Sequence, residues 1–163
     1  MFKKILVPTD GSTLSDLAVT KALAFAKSIN AAVYGFHASR DYAMPVHGID
    51  IYSAEQFREF SDQEARNFLA DIEAKAKEAG VPCTTGFTVS FTPYRAIIDA
   101  AKEQGCDLIF MASHGRRGLS GLLLGSETQK VLTHCNIPVL VFRDENSERS
   151  FRQALEETND FRT

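Results

Sequence analysis

The residue types best suited to chemistry fall in one stretch, Met111-Ala112-Ser113-His114-Gly115-Arg116-Arg117, continuing to Gly125-Ser126-Glu127-Thr128. An apolar run over residues 108–111 precedes it and reads as a buried strand. A helical pattern begins near Ser126. A strand, a glycine-rich loop and then a helix N-terminus form a device for holding phosphate. Glycine lets the backbone approach the anion, and the first-turn N–H groups and the positive dipole end attract it. The arrangement points to nucleotide binding. A second candidate is Asp10 in Pro8-Thr9-Asp10-Gly11-Ser12, at the end of another apolar run. Its carboxylate either contacts a ligand or caps the turn. His114 has no carboxylate or nucleophile placed beside it by the sequence and reads as structural. Arg116 and Arg117 suit phosphate neutralisation and a solvated loop equally.

Other nucleotide and hydrolase signatures are missing. There is no G-x-x-x-x-G-K-[ST] to place a lysine on a γ-phosphate, and no G-x-G-x-x-G after the first strand. There is no G-x-S-x-G nucleophile elbow. A receiver-type phosphorylation domain needs clustered acids, and Asp10 has no adjacent second acid. His37 and His47 have no metal-ligand spacing to each other or to a cysteine, so no metal site is read. The three cysteines, Cys83, Cys106 and Cys135, form no Cys-x-x-Cys pair and read as reduced, small residues.

The elements that would position these residues follow from periodicity. Strands are predicted at residues 4–7, 31–38, 83–89, 108–111 and 138–142. A first helix carries Leu14, Leu17, Ala18, Ala22, Phe25 and Ile29 on one stripe, with Ser12 or Thr13 as its N-cap. A second begins near Ala54 with Phe57, Ser61, Ala65, Phe68, Ile72 and Ala76, and stops at Gly80 and Pro82. A third opens at Thr92-Pro93 with Tyr94, Ile97, Ile98 and Ala101 inward, and ends at Gly105. A fourth runs from Ser126 to about His134. Residues 39–53 read as a loop. Alternating β and α units predict an α/β fold, an open five-stranded parallel sheet with helices on both faces, Rossmann-like. Ligands bind such sheets at the carboxyl ends of strands where the strand order switches. The Asp10 turn and the glycine loop are both carboxyl-end loops and are expected to share one crevice.

With 163 residues the chain suits one domain, residues 1–143, followed by a charged tail at 144–163 in which Phe151 and Leu155 permit a short amphipathic helix. A net charge of -3 argues against an extended nucleic-acid surface. No apolar run approaches the roughly 20 residues of a membrane span. Asp10 arrives too early for the apolar core of a signal peptide, so the N-terminus reads as a first strand and the protein as cytoplasmic.

The residues resemble the universal stress protein family. The likeness extends over residues 3–142. It rests on Lys4-Ile5-Leu6-Val7-Pro8-Thr9-Asp10-Gly11-Ser12, on the glycine loop from Met111 to Thr128, and on Ile137-Pro138-Val139-Leu140-Val141. The nucleotide-binding branch of that family carries Gly, two residues, Gly, nine residues, then Gly-Ser or Gly-Thr. Here Gly115, nine residues and Gly125-Ser126 match, and Ala112 replaces the first glycine. The resemblance implies the adenine nucleotide alpha hydrolase-like variant of the fold and ATP, ADP or AMP as ligand, with Mg²⁺. Pro8, Thr9, Asp10 and Ala38 would line the adenine–ribose side. Met111, Ala112, Ser113, His114, Gly115, Arg116, Gly125, Ser126, Glu127 and Thr128 would surround ribose and phosphates, mostly through backbone. It also implies a homodimer paired through Val139–Phe142 and a stress-response role read by an unidentified protein partner. Two alternatives are a non-nucleotide dimerisation module of the same fold and a slow ATPase. No residue stands out as a hydrolytic base.

Overall fold

Ile5, Leu6 and Val7 are all essentially without solvent contact, which requires cover on both faces of their strand. The structure, a computed structural model, describes residues 1–39, 54–115 and 124–144. The expectations for the loop at 40–53 (with His47), for Arg116, Arg117, Gly118 and Gly121, and for the tail beyond 144 lie outside the described residues. So does the side chain of Phe57.

The described elements are β1 (Lys4–Thr9), α1 (Thr13–Ile29), β2 (Ala32–Ser39), α2 (Ala54–Ala79), β3 (Cys83–Val89), α3 (Pro93–Glu103), β4 (Leu108–Ala112), α4 (Ser126–His134) and β5 (Val139–Phe142). The strands form one parallel sheet in the order β3-β2-β1-β4-β5. The order switches direction between β1 and β4, so the predicted crevice lies there. Side chains alternate across the sheet. Ile5, Val7, Val33, Leu108, Phe110 and Ala112 pack with α1 and α2. Leu6, Tyr34, Phe36, Ile109 and Met111 pack with α3 and α4. Each face therefore has its own apolar core.

Local chemistry sets the ends. Ser12 caps α1, its Oγ accepting from the Ser15 N–H at 3.2 Å. Asn30 closes that helix in the left-handed region, φ 56°, and Gly80 follows α2 at φ 70°. Pro93 sits in the first turn of α3. One expectation is corrected. Leu17, assigned to the inward stripe of α1, is 40% exposed, and Ser15 is buried in its place. The Ser15 hydroxyl is satisfied there, donating to the Ser12 carbonyl at 3.0 Å and lying 3.1 Å from Thr9 Oγ1. A hydrogen-bonded serine can be buried at little cost, and Val19, Leu23 and Ala26 complete the buried face.

Candidate functional site

Two turns meet at the carboxyl edge between β1 and β4. Asp10 leaves β1 in an Asx-type turn, its Oδ1 accepting from the Ser12 N–H at 3.0 Å. Thr9 Oγ1 accepts from the Gly11 N–H at 3.1 Å, which braces the same turn. Facing it, β4 ends at Ala112 and continues through Ser113, His114 and Gly115. A Cβ placed on Gly115 would strike the Asp10 carboxylate. Gly115 has no positive φ. Its bare backbone lies close to the Asp10 carboxylate across the crevice, and a side chain here would have to displace that carboxylate.

The far wall is the start of α4. Gly125 is its N-cap and supplies no side-chain hydrogen bond, in contrast to Ser12 at α1. The first intrahelical bond is Gln129 N–H to the Gly125 carbonyl at 3.0 Å. The first-turn N–H groups of Ser126, Glu127 and Thr128 precede it and form the positive end of the helix. The Gly125 N–H donates to the Ser113 carbonyl at 2.7 Å, and a Cβ on Gly125 would press on His114 Cα at 3.1 Å. The helix start is thus fastened to the end of β4.

The side chains of several predicted residues brace this arrangement. Ser113 is fully buried, and its N–H donates to the Phe142 carbonyl of β5 at 2.8 Å. Its Oγ lies 3.1 Å from His114 Nδ1, but a hydroxyl with no exposure cannot reach a substrate. The buried Thr128 hydroxyl donates to the Ala112 carbonyl at 3.0 Å. Glu127 turns toward α3. Its Oε2 accepts from the Tyr94 N–H at 3.0 Å, and its Oε1 accepts from Lys130 Nζ at 3.0 Å. Glu127 therefore caps α3, whose own N-cap Thr92 makes no side-chain capping bond. Met111 and Ala38 face the α3–α4 side, and Pro8, two residues after Leu6, shares that face.

Ala112 is the departure from the glycine pattern, and its position explains why alanine fits. It is the last residue of β4, has no positive φ, and its methyl packs into the core on the α1–α2 side. The methyl points away from the face that carries α4. A hollow of about 340 Å³ on the α1–α2 side, lined by Thr9, Ser12, Asp16, Phe68 and Asp71 among others, lies at the carboxyl end of β1. Lys75 pairs with both carboxylates of that hollow, Asp16 and Asp71. Among the described residues no three His, Cys, Asp or Glu side chains cluster as metal ligands, and no helix is long and apolar enough to cross a membrane.

Residues 1–143 match the model of the universal stress protein family. The chain is 32% identical over 151 residues to the universal stress protein MJ0531 of Methanocaldococcus jannaschii, covering 91% of this chain and 86% of that one. It is 32% identical over 161 residues to MJ0577 of the same organism, covering 90% and 98%. The solved structure of MJ0577 superposes with a TM-score of 0.78 at 30% identity, covering 90% of this chain and 99% of that one. A universal stress protein solved in complex with cAMP gives a TM-score of 0.66 at 25% identity, with 87% and 97% covered. The motifs, the sheet order and these likenesses agree, and the chain belongs to the universal stress protein family.

Proposed function

We propose that this protein binds an adenine nucleotide, ATP with Mg²⁺, at the carboxyl edge between β1 and β4 on the α3–α4 side. It works as a cytoplasmic homodimer whose occupancy is read by a protein partner during stress. The observation that carries the reading is the contact of Asp10 with Gly115 at the strand-order switch, beside a helix start that has no side-chain cap. The helix end draws the phosphates, and Pro8, Asp10 and Ala38 border the adenine–ribose side. A solved relative in complex with cAMP supports the adenine class of ligand. Mg²⁺ would enter with the phosphates and water rather than through a protein cage, since Mg²⁺ is commonly held by one or two carboxylates and substrate phosphates.

The test starts with purified protein. It is denatured, the chain is removed, and released nucleotides are identified by ion-exchange chromatography and mass spectrometry. The expected result is an adenine nucleotide, and ATP binding on calorimetric titration of the emptied protein. Gly125→Val, which presses on His114, is expected to abolish that binding. An empty preparation that also ignores ATP, ADP and AMP would overturn the reading in favour of a dimerisation module.

A further inference from the structure

His37 is a buried imidazole for which the nucleotide reading has no use. Its Nδ1 lies 2.8 Å from the carbonyl oxygen of Thr9. A carbonyl only accepts, so Nδ1 carries the proton and donates. The ring packs edge-on to Phe68 of α2, with centroids 5.3 Å apart, which fixes its orientation. Thr9 pairs with His37 in the β1–β2 register, and β4 lies on the other side of β1.

Thr9 and Asp10 share one peptide unit, and the described residues contain no cis peptide. In a planar trans peptide the C=O and N–H point in opposite directions. A Thr9 carbonyl held toward His37 therefore sends the Asp10 N–H away from β2, toward the crevice where Gly115 stands. The Thr9 side chain is tied as well, to Ser15 and to the Gly11 N–H. The imidazole thus holds the main chain of the turn that presents Asp10, where the other bonds hold its side chains.

We propose that His37 is a positioning residue of the nucleotide site. It locks the Thr9–Asp10 peptide and so sets the angle at which Asp10 meets Gly115 and the ligand. This rests on the nucleotide reading above. A buried histidine that only satisfies a carbonyl would have no such effect, and asparagine and leucine separate the two roles. The two are nearly isosteric, and both lose the ring contact with Phe68. In His37→Asn the new amide nitrogen would sit close to the place of the imidazole Nδ1 and still donate to Thr9. Leucine suits the apolar surroundings better and donates nothing.

The experiment is calorimetric ATP titration of the full chain, His37→Asn and His37→Leu, with thermal unfolding of each. The proposal expects His37→Leu to lose roughly tenfold in ATP affinity, the worth of one hydrogen bond, while staying folded. His37→Asn should keep affinity near that of the unaltered chain even if it melts lower. Equal ATP affinity in all three overturns the positioning role and leaves nucleotide binding intact. Failure of the unaltered chain to bind any adenine nucleotide overturns both. Should His37→Leu not fold, nitrogen NMR of the unaltered chain decides. A His37 Nδ1 resonance that shifts on saturation with ATP supports the role, and one that stays put overturns it.

Discussion

Gly115 and Ala112 look alike in the sequence, as two small positions of one loop pattern, yet they are small for different reasons. A methyl group on the exposed Gly115 would have to push the Asp10 carboxylate aside. Gly115→Ala should turn the Asp10 carboxylate aside at little cost in stability and weaken ATP by roughly tenfold in calorimetry. In an Asp10→Ala background the same change should cost little further, because the colliding carboxylate is gone. Additive losses would sever the link between the two residues. Ala112 carries its methyl into the α1–α2 core. Ala112→Gly should therefore lower stability by about 1–2 kcal/mol in denaturant unfolding, through backbone entropy and one lost methyl group. ATP affinity should not change. A gain in affinity would mean that the methyl does reach the ligand. Burial similarly accounts for the silence of Cys106, whose thiol is pushed up to about 11 and stays protonated near neutral pH.

Elements were legible wherever a periodic pattern coincided with a chemical stop. The five strands and four helices described fall where their apolar runs, prolines and glycines predicted, because strands buried on both faces leave continuous apolar runs. What stayed hidden depends on tertiary contact. Ser15 replaces Leu17 inside α1 because Thr9 supplies a partner for its hydroxyl. Gly115 was legible as a loop glycine, but its need for space comes from Asp10, 105 positions earlier in the chain by the difference of the two residue numbers. Glu127 was legible as an acid in the first turn of α4, where dipole and phosphate arguments both apply, and its capping of α3 was not. That cap joins the two helices nearest the site. Glu127→Ala should cost about 1 kcal/mol, as removal of a helix cap does. Amide exchange should quicken in the first turn of α3, around Tyr94, more than elsewhere. Glu127→Gln, which keeps an acceptor, should largely preserve protection there, and uniform loosening across the sheet would contradict the cap.

At the scale of the whole molecule the sheet has two edges, and they differ. β3 carries three threonines and a glycine, and its outer residues Thr84, Thr88 and Val89 are exposed. β5 is Val-Leu-Val-Phe, half-buried throughout. An apolar edge strand left open invites pairing with another strand, so β5 is the edge a second copy would cover. The hydrogen bonds fix which atoms are available. The Pro138 and Phe142 carbonyls both point to the β4 side, accepting from Ile109 and Ser113. In a strand the N–H and C=O of one residue point the same way and alternate along the chain, so Val139 and Val141 direct theirs outward. Val141→Pro removes one outward donor and leaves the β4 ladder whole. By size-exclusion chromatography with light scattering, the unaltered chain should have the mass of two chains and Val141→Pro the mass of one. Val89→Pro, at the end of the opposite edge, should leave the dimer in place. Every residue assigned to the nucleotide site comes from a single chain, and β5 meets that site along its β4 side, through the Met111–Val141 and Ala112–Phe142 pairs and the Ser113–Phe142 bond. The Val141→Pro monomer should therefore still bind ATP. A monomer that has lost ATP would mean that the second copy completes the site, and a Val141→Pro dimer would move the interface away from β5.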